Sequence, residues 1–165
     1  MWWSEARRSL LVLTLVLAPV LSACAGFTPV YGPSGIASRE VPLAYAAPAN
    51  RLEQIIYQDL ALRLGKASGP APTLDVDVTQ ASRDLTANDT LTLPATQQQM
   101  VVTAKIRLTD LNGKTLFSGS RSASADYTAN SQGFASREAA DDAARRAAKS
   151  LADTIRLTIL GALAQ

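Results

Sequence analysis

The chain predicts an α+β fold, a two-layer sandwich in which two helices pack on one face of a four-stranded mixed sheet, in the order β-α-β-β-β-α. Three observations carry this expectation. Leu52, Ile55, Ile56, Leu60 and Leu64 recur at the spacing of one face of an amphipathic helix. Leu74, Val76 and Val78, and later Met100, Val102, Ala104, Ile106 and Leu108, alternate with polar residues at the period of two that marks half-buried strands. An alanine-rich stretch near the C-terminus repeats the helical pattern over a longer span.

Taken in order, Val41, Leu43 and Tyr45 alternate with Glu40, Pro42 and Ala44, which predicts a short strand that Pro42 confines to a sheet edge or a bulge. Asn50 with Glu53 three residues on has the spacing of a capping box, so a helix is expected over residues 51 to 64, with Gly65 as its stop. Residues 83 to 96 are polar and hold the turn formers Asn88-Asp89 and Pro94, so a long hairpin tip is expected there. If that hairpin folds about Leu91, Val76 lies opposite Ile106, Asp75 beside Arg107 and Asp77 beside Lys105. Asn112-Gly113 marks a second, tighter hairpin.

The strand expected over residues 115 to 127 is rich in Ser and Ala, and two registers compete for it. A two-residue loop at Asn112-Gly113 sets Phe117 opposite Leu108 and puts Arg121 on the apolar face opposite Ala104. A bulge at Gly113 swaps every side chain to the other face, pairs Leu116 with Leu108 and turns Arg121 outward. The bulge is preferred because it buries no charge. Ser136 is the expected N-cap of the last helix, with Glu138 in its first turn and its end near Leu163. Ala140, Ala144, Ala147, Leu151, Ile155 and Ala162 define its inner face, and Arg137, Arg145, Arg146, Lys149 and Arg156 lie mostly off it.

The N-terminus is read as a targeting segment. Arg7 and Arg8 precede an uncharged apolar run from Leu10 to Leu21, shorter than the roughly 20 residues a spanning helix needs and of the length of a signal-peptide core. Leu21-Ser22-Ala23-Cys24 resembles the lipobox of bacterial lipoproteins. The cysteine thiol accepts a diacylglyceryl group as a thioether, and cleavage before it frees an amine for a third acyl chain. At about 0.8 kcal/mol per buried methylene, three chains hold a protein essentially permanently. The expected organisation is a signal peptide over 1–23, a lipidated tether rich in Gly, Pro and Ser over 24–38, and one domain over 39–165. Cys24 is the only cysteine, so no internal disulfide is expected.

Composition narrows the function. The balance of 16 Lys and Arg against 14 Asp and Glu is close to neutral, which argues against nucleic acid as a partner. With no histidine in the chain, a Ser-His-Asp triad, a Cys-His pair and a His/Cys metal site are all excluded, and neither enzymatic activity, a cofactor nor a metal is expected. Asp75 and Asp77 share one strand face and could in principle act as paired carboxylates. Their expected neighbours Lys105 and Arg107 favour structural charge pairing instead. Lys105, Arg107 and Arg121 are also candidates for meeting the phosphates of an anionic lipid, since guanidinium matches phosphate bidentately.

The segment Cys24-Ala25-Gly26-Phe27-Thr28-Pro29-Val30-Tyr31-Gly32 resembles the start of mature lipopolysaccharide-assembly lipoproteins of the LptE family, particularly the alphaproteobacterial type, with Ala25 as an insertion. The similarity continues through Asn50, Arg51 and Glu53, the Leu108-Thr109-Asp110 turn, and Tyr127 ahead of the helix that carries Leu151-Ala152-Asp153 and Ile155. The resemblance implies two helices on a four-stranded sheet. It also implies a non-enzymatic lipoprotein that plugs the outer-membrane β-barrel LptD, assists its assembly and engages lipopolysaccharide, anchored to the outer membrane and facing the periplasm or the barrel lumen. The alternative is an accessory lipoprotein of another outer-membrane transport or secretion complex. Leu157, Ile159, Leu160 and Leu163 point in several directions around the last helix, more apolar surface than one sheet contact buries. Leu157, Leu160 and Leu163, with Leu91 in the hairpin tip, are therefore the expected contacts with a partner.

Overall fold

The computed structural model describes residues 41–85 and 95–163. The signal peptide, Cys24, the tether and Leu91 lie outside these residues. The elements are β1 (Ala44–Tyr45), α1 (Arg51–Leu64), β2 (Thr73–Asp84), β3 (Ala95–Thr109), β4 (Thr115–Asn130) and α2 (Gly133–Leu163). They form one sheet in the order β1-β2-β3-β4, with β1 parallel to β2 and the other pairs antiparallel. This is the expected α+β arrangement. No helix among the described residues is long and apolar enough to cross a membrane.

The core is the layer between the sheet and the helices. Leu74, Val76, Val78, Val102, Ala104, Ile106 and Leu108 point into it from β2 and β3, and Ile56, Leu60 and Leu64 from α1. The buried stripe of α2 is mostly alanine: Ala143, Ala144, Ala147, Ala148 and Ala152, interrupted by Leu151 and Ile155. Small side chains let this helix approach the sheet closely, which the central strand needs in order to be covered.

β1 is only two residues long, yet the outer edge of β2 is not left bare, because side chains of α1 continue the ladder. Ala46 N–H donates to Leu74 O at 3.0 Å. Two residues on, Tyr57 Oη accepts from Val76 N–H at 2.8 Å and donates to Val76 O at 3.4 Å. Two further on, Glu53 Oε1 accepts from Val78 N–H at 3.1 Å, and Asn50 Nδ2 donates to Val78 O at 3.4 Å. The capping box read from sequence is present, with Asn50 Oδ1 accepting from Glu53 N–H at 3.0 Å and Glu53 Oε2 from Ala49 N–H at 2.6 Å. Glu53 is 4% exposed and serves two backbones at once. Tyr45 tilts against Tyr57 and donates to Gly65 O at 3.0 Å, and burial pushes its phenol up to about 12. The Tyr57 phenol is also raised, mainly by burial, with its bond from Val76 opposing.

Four sequence expectations need correction. Arg83, Asp84, Ala95 and Thr96 belong to β2 and β3, so the first hairpin has longer strands and a shorter tip than residues 83 to 96 implied. α2 begins at Gly133, so Ser136 lies in its first turn and not at its cap; Ser136 Oγ instead accepts from Asn130 N–H at 2.9 Å, tying the helix to the end of β4. Asp75 and Asp77 do stand opposite Arg107 and Lys105, as folding about Leu91 requires, but neither pair is among the ion pairs closed within 4.0 Å.

The fourth correction is the register of β4. Gly113 has φ 79, as the preferred bulge requires, and Asp110 Oδ1 holds the loop by accepting from Asn112 and Lys114 N–H, each at 2.8 Å. Thr109 accordingly pairs with Thr115, but Leu108 pairs with Phe117, so a second irregularity at Leu116 reverses the shift. Beyond it Arg121 stands opposite Ala104, the arrangement the preferred reading rejected. The physical reason lies in the rest of the strand. This register sends Ser118, Ser120, Ser122 and Ser124 to solvent and turns Phe117, Ala123, Ala125 and Tyr127 against the core. The single charge on the helix side costs little, because β4 is an edge strand and Arg121 reaches its rim. Gly119 completes the arrangement: a Cβ there would meet the Phe117 ring at 2.8 Å.

Candidate functional site

The uncovered face of the sheet is built in rows across three strands. Asp75, Arg107 and Ser118 form one row, and Asp77, Lys105 and Ser120 the next. Between them runs a shallow groove of about 380 Å³. Further along, Arg83 Nε donates to Gln99 Oε1 at 2.8 Å and Gln99 Nε2 to Asp126 Oδ1 at 2.9 Å, a polar relay across the sheet. On the opposite face near the same end, Ser82, Gln98 and Tyr127 share hydrogen bonds, and Gln98 Nε2 donates to Asp84 Oδ1 at 2.7 Å. From Gln80 onward β2 is exposed on both faces, so the first hairpin projects past the core as a polar arm.

Lys105 and Arg107 are neighbours on the open face, where two carboxylates balance them. Arg121 is not with them. It lies on the helix side, its guanidinium 5.9 Å from the centroid of the Phe117 ring, with Nε donating to Thr158 Oγ1 at 3.2 Å. The three cations proposed from sequence therefore do not form one site. Asp75 and Asp77 stand beside those cations, and among the described residues no cluster of three His, Cys, Asp or Glu could hold a metal ion.

The apolar surplus read at the end of α2 is largely absorbed by the core. Ile159 is fully buried, Leu160 is 2% exposed and Leu163 packs partly against the core, which leaves Leu157, 43% exposed, as the outward member. Leu160 therefore offers no surface to a partner. Helical periodicity misassigned it because α2 packs against α1 as well as against β3 and β4, and so buries a wider stripe than one sheet contact would. The exposed large apolar residues that sequence reading missed are Leu62, Leu85, Leu111, Leu116 and Phe134. Arg145 and Lys149, expected off the inner face of the last helix, line the walls of one groove together with Arg51 of α1.

The described domain is a two-layer α+β fold with a charged open sheet face, a polar arm and a cationic groove on the helix side. Residues 39–159 match the family model described as LptE, lipopolysaccharide-assembly, and the chain belongs to that family. A lipoprotein from Caulobacter crescentus CB15 is similar in structure, with a TM-score of 0.54 and 27% identity over 79% of this chain and 94% of that one. The rare lipoprotein B of Shewanella oneidensis shares the fold at a TM-score of 0.55 and 12% identity, covering 74% of this chain and 94% of its own. A minor lipoprotein of Acinetobacter baumannii does so at 0.51 and 19%, covering 76% and 94%. No curated protein matches the chain in sequence.

Proposed function

We propose that this protein is a lipid-anchored, non-enzymatic lipoprotein of the outer membrane that binds and plugs an LptD-type β-barrel and assists lipopolysaccharide assembly there. The observation that carries the reading is the family match across almost the whole folded domain. The surfaces are compatible with enclosure by a barrel: a sheet face without a covering layer, a projecting polar arm, and scattered exposed leucines in place of one continuous apolar patch. Lys105 and Arg107 on the open face, and Arg121 at the rim, are candidates for lipid phosphates, and Leu157, Leu163 and the expected tip residue Leu91 for the barrel wall.

The anchor is tested by Cys24→Ser. The variant is expected to leave the membrane fraction and appear as a folded periplasmic protein, because the thiol is needed for acylation and the described core is built from residues between Leu43 and Leu160. A variant that stays in the membrane through a retained N-terminal segment refutes the lipobox reading.

The partner is tested with photo-cross-linking residues at Leu91 and Leu157, which should each capture one large outer-membrane protein. Depletion of the lipoprotein should lower both the level of that protein and surface lipopolysaccharide. Capture of no barrel from either position, with surface lipopolysaccharide unchanged, moves the assignment to an accessory subunit of another complex.

A further inference from the structure

A groove of about 770 Å³ lies between the start of α1 and the middle of α2. Its walls carry Arg51 from α1 with Arg145 and Lys149 from α2, and the neutral donors Asn50, Gln54 and Gln58 stand between them. Among the described residues, no carboxylate lines it. The acid nearest in sequence, Glu53, is turned away into the sheet, with both oxygens occupied by Ala49 N–H, Val78 N–H and Asn50 Nδ2. Asp142 is the one acid that reaches a lining cation. Its shorter bond is to Arg146 Nε at 3.0 Å, and it meets Arg145 at 3.3 Å. Arg51 and Lys149 are exposed and appear in no ion pair within 4.0 Å among the described residues.

The contrast with the open sheet face decides which surface suits an anion. There, Lys105 and Arg107 share their groove with Asp75 and Asp77, so an approaching phosphate meets a balanced field. Here three cations converge with only one shared carboxylate behind them, and two of the three are guanidinium groups that can grip phosphate oxygens in pairs.

We propose that this helix-side groove, through Arg51, Arg145 and Lys149, is a binding site for a phosphate-bearing ligand. That the phosphate is carried by a lipopolysaccharide headgroup rests on the function proposed above; the phosphate chemistry of the groove does not.

The test uses the full-length lipoprotein in detergent and three probes: purified lipopolysaccharide, the same material after enzymatic removal of its phosphates, and inorganic pyrophosphate. Arg51→Gln/Lys149→Gln is expected to weaken binding of the phosphorylated lipid by about tenfold or more, the scale of losing one charge-assisted contact. Binding of the dephosphorylated lipid should not change, and the control Lys114→Gln, in the exposed turn between β3 and β4, should stay within about twofold of the parent on every probe. Arg51, Lys149 and Lys114 are all exposed, so a matched melting temperature separates lost binding from lost fold. If pyrophosphate binds with the same dependence on Arg51 and Lys149 while the lipid does not bind, the site stands and its ligand is a small phosphate anion. Phosphorylated probes bound equally by the parent and by Arg51→Gln/Lys149→Gln, or bound by neither, overturn the site. That outcome leaves the barrel capture and depletion results untouched, so the two readings fail separately.

Discussion

Glu53→Ala is expected to destabilise the domain by about 3 kcal/mol, which is the sum of a lost helix cap near 1 kcal/mol and a buried, unpaired N–H costing up to about 2 more. The geometry explains why one side chain matters this much. Glu53 Oε1 accepts from Val78 N–H inside the domain and Oε2 from Ala49 N–H at the entry to α1. Removing the carboxylate opens the helix start and the edge of β2 together, and Val78 lies too deep for water to replace the bond without rearrangement. Asn50→Ala should cost less, about 1 kcal/mol, since its main bond is the cap itself. Urea denaturation of the mature protein measures both. A Glu53→Ala variant within about 1 kcal/mol of the parent would show that solvent reaches Val78 N–H and that the side-chain ladder along β2 is dispensable.

Leu151→Ala is expected to cost about 3 kcal/mol, within the usual span for a fully buried leucine. Leu151 is wholly inaccessible, and its neighbours along α2 are Ala147, Ala148 and Ala152, all with no exposed surface. Alanines cannot swing into the space left behind, and they already hold the helix near its closest distance to the sheet. The cavity should therefore persist instead of collapsing, and the cost should sit above the simple transfer value. Leu157→Ala is the comparison. It lies one and a half turns further along the same helix but is 43% exposed, and should cost under about 1 kcal/mol. Equal losses at the two positions would mean that α2 is rotated relative to the sheet.

The two variants locate the structural weight of the molecule in the α1–β2 seam and the α2–sheet seam, away from the groove of Arg51 and Lys149 and from the open sheet face. Binding and stability can therefore be altered separately. Arg63 strengthens this frame at the other end of α1, where it pairs with Asp59 at 3.3 Å and with Asp153 of α2. Such exposed pairs contribute little energy individually. Their value here is in fixing how the two helices lie beside each other.

Much of the fold was legible because its periodicities are long and its ends are marked. α1 runs from Arg51 to Leu64 because its cap Asn50 and its stop Gly65 are both local chemistry, and β2 pairs with β3 as expected because a hairpin register follows from the position of its centre. The absence of histidine and the single cysteine likewise restrict function through composition alone. Three features needed the tertiary structure. The side of β4 that faces inward depended on a second irregularity at Leu116, which no turn residue announces, and on the collective preference of four serines for water over the exclusion of one arginine. The burial of Leu160 depended on α2 packing against α1 as well as the sheet. The joining of Arg51 with Arg145 and Lys149 depended on two helices packing side by side, a contact across nearly a hundred residues. Local patterns determine which face of an element is apolar, because neighbouring residues share one backbone period; which faces meet is decided by packing between elements distant in sequence, and there the groove between the two helices is made.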